Sequence, residues 1–266
     1  VANGTLDLAT LFRQHNLARI VPSKLIVAAL TAINGWYGPS EVLIVHVGIL
    51  ASVLLALWLL RRPGEAYPYW LLPVIGLLAF SVRQVQSLVM GFQTSWALVH
   101  TFMLALIAVI VWGRGRWAAL LLAVGLATLV SFTYITGLTL WILVIPALWW
   151  FGWRKPAHYV LWIGVAVLVT AAYFTNYQFT LAVEDFTPTR ALTLFDYGSY
   201  LLMWLGAPLT ASENPAWAAR ALIAGIGGIG LFVANLLYVW FRVRARGYAL
   251  IWATVAAFVG VSGVLA

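Results

Sequence analysis

Apolar residues fall in long runs broken by short polar stretches, and the run lengths set the architecture. A span needs roughly 17–25 apolar residues at 1.5 Å rise each. Eight segments meet or approach that rule: residues 41–60, 69–82, 95–112, 117–135, 139–153, 158–177, 215–241 and 248–266. The second is short, with Pro68 immediately before it and Pro73 within it, which predicts a tilted or broken helix, and its continuation, residues 83–94, is polar. The pattern predicts an all-α, polytopic transmembrane bundle of about eight spans, forming a single domain over residues 1–266.

Ahead of the first span, Leu8, Leu11, Phe12, His15 and Arg19 recur at helical spacing, with Asp7 or Thr5 placed to cap the N-terminus. This predicts an amphipathic helix lying on the membrane surface. Pro22 ends it, and residues 24–33 are too few to cross, so a re-entrant or interfacial helix is expected there. A second surface helix is expected over 189–205, broken at Gly206-Ala207-Pro208, with Asn214-Pro215 opening the seventh span. Residues 1–38 and 178–214 are thus the two long segments on one face. The chain opens on Val1 and stops within an apolar run, as expected of a piece cut at both ends.

Composition fixes the solvent. With 64% hydrophobic and 8% charged residues and a mean hydropathy of +0.98, most of the apolar surface must face lipid. Cysteine is absent, which excludes disulfides, thiolate metal sites and a Cys nucleophile. The net charge of +8 would suggest nucleic acid in a soluble protein. Here the cations stand between apolar runs, as Arg61/Arg62, Arg114/Arg116, Arg154/Lys155 and Arg242/Arg244/Arg246, and read as topology determinants with no nucleic-acid partner. The positive-inside rule makes those loops cytoplasmic, in what is expected to be a bacterial inner membrane. Asp7, Glu41, Glu184, Asp185, Asp196 and Glu213 fall on the opposite face, and only Glu65 inside. Trp112, Trp117, Trp149, Trp150, Trp153 and Trp240 stand beside the cations as an interfacial belt.

Candidate chemistry therefore lies on the extracytoplasmic side. Gly225-Ile-Gly227-Gly228-Ile-Gly230 has the letters of a dinucleotide fingerprint, but no strand precedes it and it sits within a span. Ala221, Ala224, Gly225, Gly228 and Ala234 instead offer a face that another helix can approach closely. His46 and His100 each lie five residues inside the outer end of a span. Three roles stand open for them: a hydrogen bond to a neighbouring helix, lining of a polar cavity, and, least favoured, axial ligation of a haem or chlorophyll. Gln14, His15, Asn16 and Arg19 cluster near the outer leaflet, where Arg19 one turn after His15 could hold a phosphate or snorkel along a hydrated face. Gln93 belongs to a second polar patch with Arg83, Gln84 and Gln86. Glu184-Asp185 is either a solvated loop pair or a place for a divalent ion bridged through phosphate oxygens.

Taken together, Gln14-His15-Asn16-x-x-Arg19-Ile20-x-Pro22, Gly91-Phe92-Gln93, Thr136-Gly137-Leu-Thr-Leu-Trp141, Tyr173-Phe174 and Leu205-Gly206-Ala207-Pro208-Leu209 resemble an uncharacterised group of bacterial multi-spanning proteins. That group is similar in layout to polyprenyl-phosphate-sugar-dependent glycosyltransferases of the C-type membrane fold. The resemblance implies transfer of a sugar from a polyprenyl phosphate at the extracytoplasmic face, with the tail between the spans. It implies His15, Asn16, Arg19 and Gln93 as substrate-binding residues, to which His46 and His100 are added as the cavity-lining candidates named above, and a carboxylate from Asp7, Glu184, Asp185 or Asp196 to orient the acceptor hydroxyl. Leu17-Ala18 stand where the group's pattern has a Glu-His pair. The alternative expectation is a non-catalytic integral membrane subunit of a larger complex. A transporter is weaker, since no charge sits at mid-span and no inverted repeat is visible.

Overall fold

A computed structural model describes residues 7–15, 18–35, 37–61, 93–178, 193–207, 210, 216–243 and 245–265. They are helical throughout apart from short turns and one isolated bridge. The chain divides into two compact units, Val1–Thr180 and Leu181–Ala266. Among the described residues, four helices are long and apolar enough to cross a membrane: Gly38–Leu60, Thr94–Gly113, Pro156–Phe174 and Trp217–Val243. A further helix, Arg246–Leu265, has 20 residues. The predicted second span lies outside the described residues.

The first unit holds α1 (Leu8–Phe12), α2 (Val21–Asn34), α3 (Gly38–Leu60), α4 (Thr94–Gly113), α5 (Trp117–Ser131), a 3-10 turn (Ile135–Thr139), α6 (Leu140–Leu143), α7 (Ile145–Trp150) and α8 (Pro156–Phe174). Small residues let α3 and α4 meet. A Cβ added to Gly48 would lie 3.1 Å from that of Ala97, and Ser52 Oγ lies 2.9 Å from Thr101 Oγ1. Contact positions rise together along both helices, so α3 and α4 run in the same direction. The core is centred on α4 and α5, where Leu106, Ile107, Ile110, Leu120, Ala123 and Val130 are buried. Leu43, Val47 and Leu54 of α3 and Val160, Val167 and Leu168 of α8 are instead exposed, which suits hydrocarbon and not water.

α5 and α8 also run in the same direction. Trp117 packs against His158 near their starts and Phe132 against Tyr173 near their ends. Unit one therefore has two distinct ends. Arg61, Arg114, Arg116, Arg154 and Lys155 gather at one, while the starts of α2 and α4 meet the ends of α5 and α8 at the other, through Val21 N–H to the Phe132 carbonyl (2.8 Å) and Ser23 Oγ to Ser95 Oγ (2.9 Å).

Two expected elements differ. The predicted span over 139–153 is no continuous helix but a 3-10 turn followed by two short helices. Gly137 sits so tightly on the Val130–Ser131 backbone that a Cβ would meet Ser131 N at 2.7 Å, and Pro146 at the start of α7 has no N–H to continue the ladder. Side chains hold the segment instead. Trp141 Nε1 donates to Ser131 Oγ (3.0 Å), and the Trp141 carbonyl accepts from Trp162 Nε1 (2.8 Å). Likewise, the predicted surface helix through His15 and Arg19 stops at Phe12. His15 and Ala18 exchange backbone hydrogen bonds of 2.8 and 3.0 Å, so the chain turns back and Arg19 does not sit one helical turn after His15.

The second unit contains α9 (Leu194–Gly206), α10 (Trp217–Tyr238), which continues into a π-helical turn (Val239–Val243), and α11 (Arg246–Leu265). Gly206 lies against Ala221 and Gly225 against Leu202, so α9 and α10 are antiparallel and touch backbone to backbone. This is the close approach expected of the small-residue face. Gly263 of α11 instead receives the side chains of Leu201 and Trp204.

Candidate functional site: the Arg19 clasp

The polar residues singled out by sequence are best followed from α1. Five residues are too few to form a stable helix unaided, so its ends must be satisfied from outside. Asp7 is the N-cap, its carboxylate accepting from Thr10 N–H at 2.7 Å. These bonds to Thr10 lower the Asp7 pKa below its ordinary value. At the other end the carbonyls are taken by two cations. Lys24 Nζ donates to Thr10 O (3.0 Å), Leu11 O (3.2 Å) and Arg13 O, while Arg19 Nη1 donates to Phe12 O. Partial burial, followed by the neighbouring Arg13 and Arg19, lowers the Lys24 pKa.

Arg19 is only 6% exposed, and its remaining donors reach a second helix end. Nε donates to the Tyr173 carbonyl at 2.7 Å and Nη2 to the Thr175 carbonyl. Its backbone N–H donates to the Tyr173 hydroxyl at 3.2 Å. One guanidinium thus caps the C-terminal ends of both α1 and α8, where orphan carbonyls and the helix dipoles favour a cation. Aromatic rings pack around it: Phe12 on Phe132, Phe132 on Tyr173 and Tyr173 on Tyr177. Gln14 completes the junction through a reciprocal amide pair with the Gln178 backbone, both bonds 2.9 Å.

The other predicted residues are scattered. His15 is exposed in the turn, and Asn16 lies outside the described residues, as do Glu184 and Asp185. Gln93 stands at the N-cap position of α4, at the same end of the unit as Arg19, without a side-chain capping bond. His46 and His100 sit inside α3 and α4. Each places Nδ1 against the carbonyl one turn back in its own helix, Val42 O at 2.8 Å and Trp96 O at 2.7 Å. The register of the two helices sets His100 about one turn deeper than His46. Asp196 belongs to the second unit, where it forms a capping box with Thr193 at the start of α9. Among the described residues, no three His, Asp or Glu side chains converge as a metal site.

Sequence reasoning passed over three residues. Lys24 was hidden at the head of an apolar run, and Tyr173 came only as part of a resemblance. His158 begins a span, yet it is 2% exposed and neither ring nitrogen has a hydrogen-bond partner. Its one visible signal is a histidine three residues after Lys155. Trp153, expected in the interfacial belt, is fully buried and donates to the Ile110 carbonyl at 3.0 Å. Trp112, Trp117, Trp149 and Trp150 are exposed as expected.

Fold and site together define a helical membrane protein whose described polar side chains serve mainly its helix ends and turns. No family model, curated protein or solved structure matches the chain.

Proposed function

We propose that this chain is a non-catalytic integral membrane subunit, built as about eight spans with its basic loops cytoplasmic, that packs within a larger complex. The observation that carries this reading is the occupation of Arg19. The guanidinium suited to a lipid phosphate makes its bonds to Phe12, Tyr173 and Thr175 carbonyls, and Asp7 and Asp196 cap helices. A face open to a partner supports it further. Cβ atoms added at Gly227, Gly228 and Gly230 of α10 would meet nothing within 4 Å, which leaves room for another helix to approach closely. Purification in mild detergent tests the reading: a stoichiometric complex with other membrane proteins is expected, and recovery of the chain alone as a monodisperse species would refute it.

A second reading is transfer of a sugar from a polyprenyl phosphate at the extracytoplasmic face. What favours it is that two motifs of the resemblance, Gln14 to Pro22 and Tyr173-Phe174, meet at Arg19. In that case Glu184 or Asp185 is the carboxylate that orients the acceptor, with a divalent ion on the phosphate. Glu184→Gln and Asp185→Asn should then abolish transfer while leaving thermal stability unchanged. Arg19 is unsuitable for this test because its loss also strands carbonyls at two helix ends.

A further inference from the structure

The opposite end of the first unit carries a different arrangement of cations. α4 ends at Gly113 and α5 begins at Trp117, so Arg114 and Arg116 ride a two-sided turn about Gly115. Arg114 itself takes a left-handed conformation (φ 44°), and Gly115 and Gly152 have φ of 81° and 91°. The glycines let this turn lie on the one before α8. A Cβ at Gly115 would stand 2.8 Å from the Gly152 carbonyl, so only glycine permits the contact. Arg154 and Lys155 follow directly, and Arg114, Arg116, Arg154 and Lys155 are all exposed.

None of these four cations has a carboxylate partner among the described residues. Arg116 donates to the Gly113 and Trp112 carbonyls, both at 3.1 Å, and lies over the Trp112 ring at 4.3 Å. Arg154 lies over Trp149. Immediately beneath, the His158 ring sits between Trp117 and Trp153 with its Cε1 3.9 Å from the position of a Gly115 Cβ. Its two nitrogens are buried and unpartnered. Beside this cluster, Leu121 and Leu122 on α5 and Val160 and Ile163 on α8 are exposed, one to two turns from the cations.

We infer that the Arg114–Arg116 turn and Arg154-Lys155 form a binding site for the phosphate headgroup of an anionic phospholipid, whose acyl chains lie along α5 and α8. The chemistry matches at each level. Four cations with no carboxylate partner among the described residues attract a phosphodiester, arginine forks suit its oxygens, and exposed tryptophans sit at headgroup depth. The glycine contact fixes the two loops together, so that ordering is not left to the lipid. The site is independent of whether the chain is a subunit or a transferase.

Native mass spectrometry of the full chain in mild detergent, titrated with phosphatidylglycerol or phosphatidylcholine, tests this. Phosphatidylglycerol should be retained at least about tenfold more strongly. The combined variant Arg114→Gln, Arg116→Gln, Arg154→Gln and Lys155→Gln should lose that preference. Two further variants guard against misfolding and against mere net charge. Gly115→Ala keeps every cation but separates the loops, and should weaken phosphatidylglycerol severalfold while phosphatidylcholine is unchanged. Arg220→Gln with Arg242→Gln and Arg246→Gln removes charge from the second unit and should leave the preference intact. Retention of the preference by the fourfold variant overturns the inference, as does its loss in the second-unit variant. Displacement of the lipid by millimolar inorganic phosphate would also overturn it, identifying a soluble-anion site.

Discussion

The two ends of the first unit both collect arginine, lysine and aromatic rings, yet they use them in opposite ways. At one end Arg19 is buried, and its guanidinium closes two helix termini. At the other, Arg114, Arg116, Arg154 and Lys155 are exposed and meet no carboxylate among the described residues. Residue type alone does not separate a structural cation from one available to a ligand. What separates them is burial and reach: the Arg19 guanidinium is enclosed and spans the ends of two helices, whereas Arg116 bonds only carbonyls of its own turn and stays exposed.

The largest effect expected from this contrast follows removal of each kind of arginine. Arg19→Ala would strand carbonyls at the ends of α1 and α8, each costing about 1–3 kcal/mol when unsatisfied, for a total of about 3 kcal/mol or more. Arg114→Ala should lie within about 0.5 kcal/mol of the parent, as for other exposed side chains. Unfolding in detergent followed by circular dichroism measures both. Similar losses from the two substitutions would break the distinction between the ends.

Each end is also closed by a glycine, and here the difference narrows. Gly137 faces rigid backbone at Val130 and Ser131, so Gly137→Ala should cost about 2–3 kcal/mol through overpacking. Gly115→Ala meets one carbonyl and a strained φ, for which about 1–2 kcal/mol is expected. The sharper discriminator is the lipid preference, which Gly115→Ala should lower and Gly137→Ala should not. Trp153→Phe, which removes one buried hydrogen bond to Ile110, should cost about 1 kcal/mol, whereas Trp149→Phe on the exposed rim should cost almost nothing.

How much of this was legible depended on the range of the interactions involved. Long apolar runs set helices by themselves, so the expected span at 41–60 appears as Gly38–Leu60, 95–112 as Thr94–Gly113 and 158–177 as Pro156–Phe174. Asp7 as a cap and Ala221 with Gly225 as a close-packing face were equally local signals. The turn after Phe12 was not, because the groups that fix Arg19 lie 154 residues away at Tyr173 and 156 away at Thr175. Leu8, Leu11 and Phe12 fit a helix whether it runs for five residues or for twelve. Residues 139–153 misled for a related reason: they are apolar enough for a span, while Gly137 and Pro146 divide the helix. The candidate site was legible as a cluster of residue types, and illegible in what those residues bond.

The smallest expected effect concerns acid. Asp7 has a folded pKa held below its ordinary 3.8 by the bonds from Thr10. A carboxylate of this kind contributes stability above its unfolded pKa and loses it as pH falls through the lower folded value. Because Asp7 is exposed, the loss should stay within α1. Protection of the Thr10 amide, measured relative to its intrinsic exchange rate, should therefore fall as the pH drops below 3.8, while the Arg114–Arg116 turn, with no described carboxylate at its end of the unit, keeps its protection. Asp7→Asn sharpens the test, since asparagine caps as well as aspartate but does not titrate. It should keep Thr10 protected throughout that acid range. Equal acid sensitivity in the Asn variant would assign the effect to another group, and Asp7 would lose its role as the acid-sensitive cap of α1.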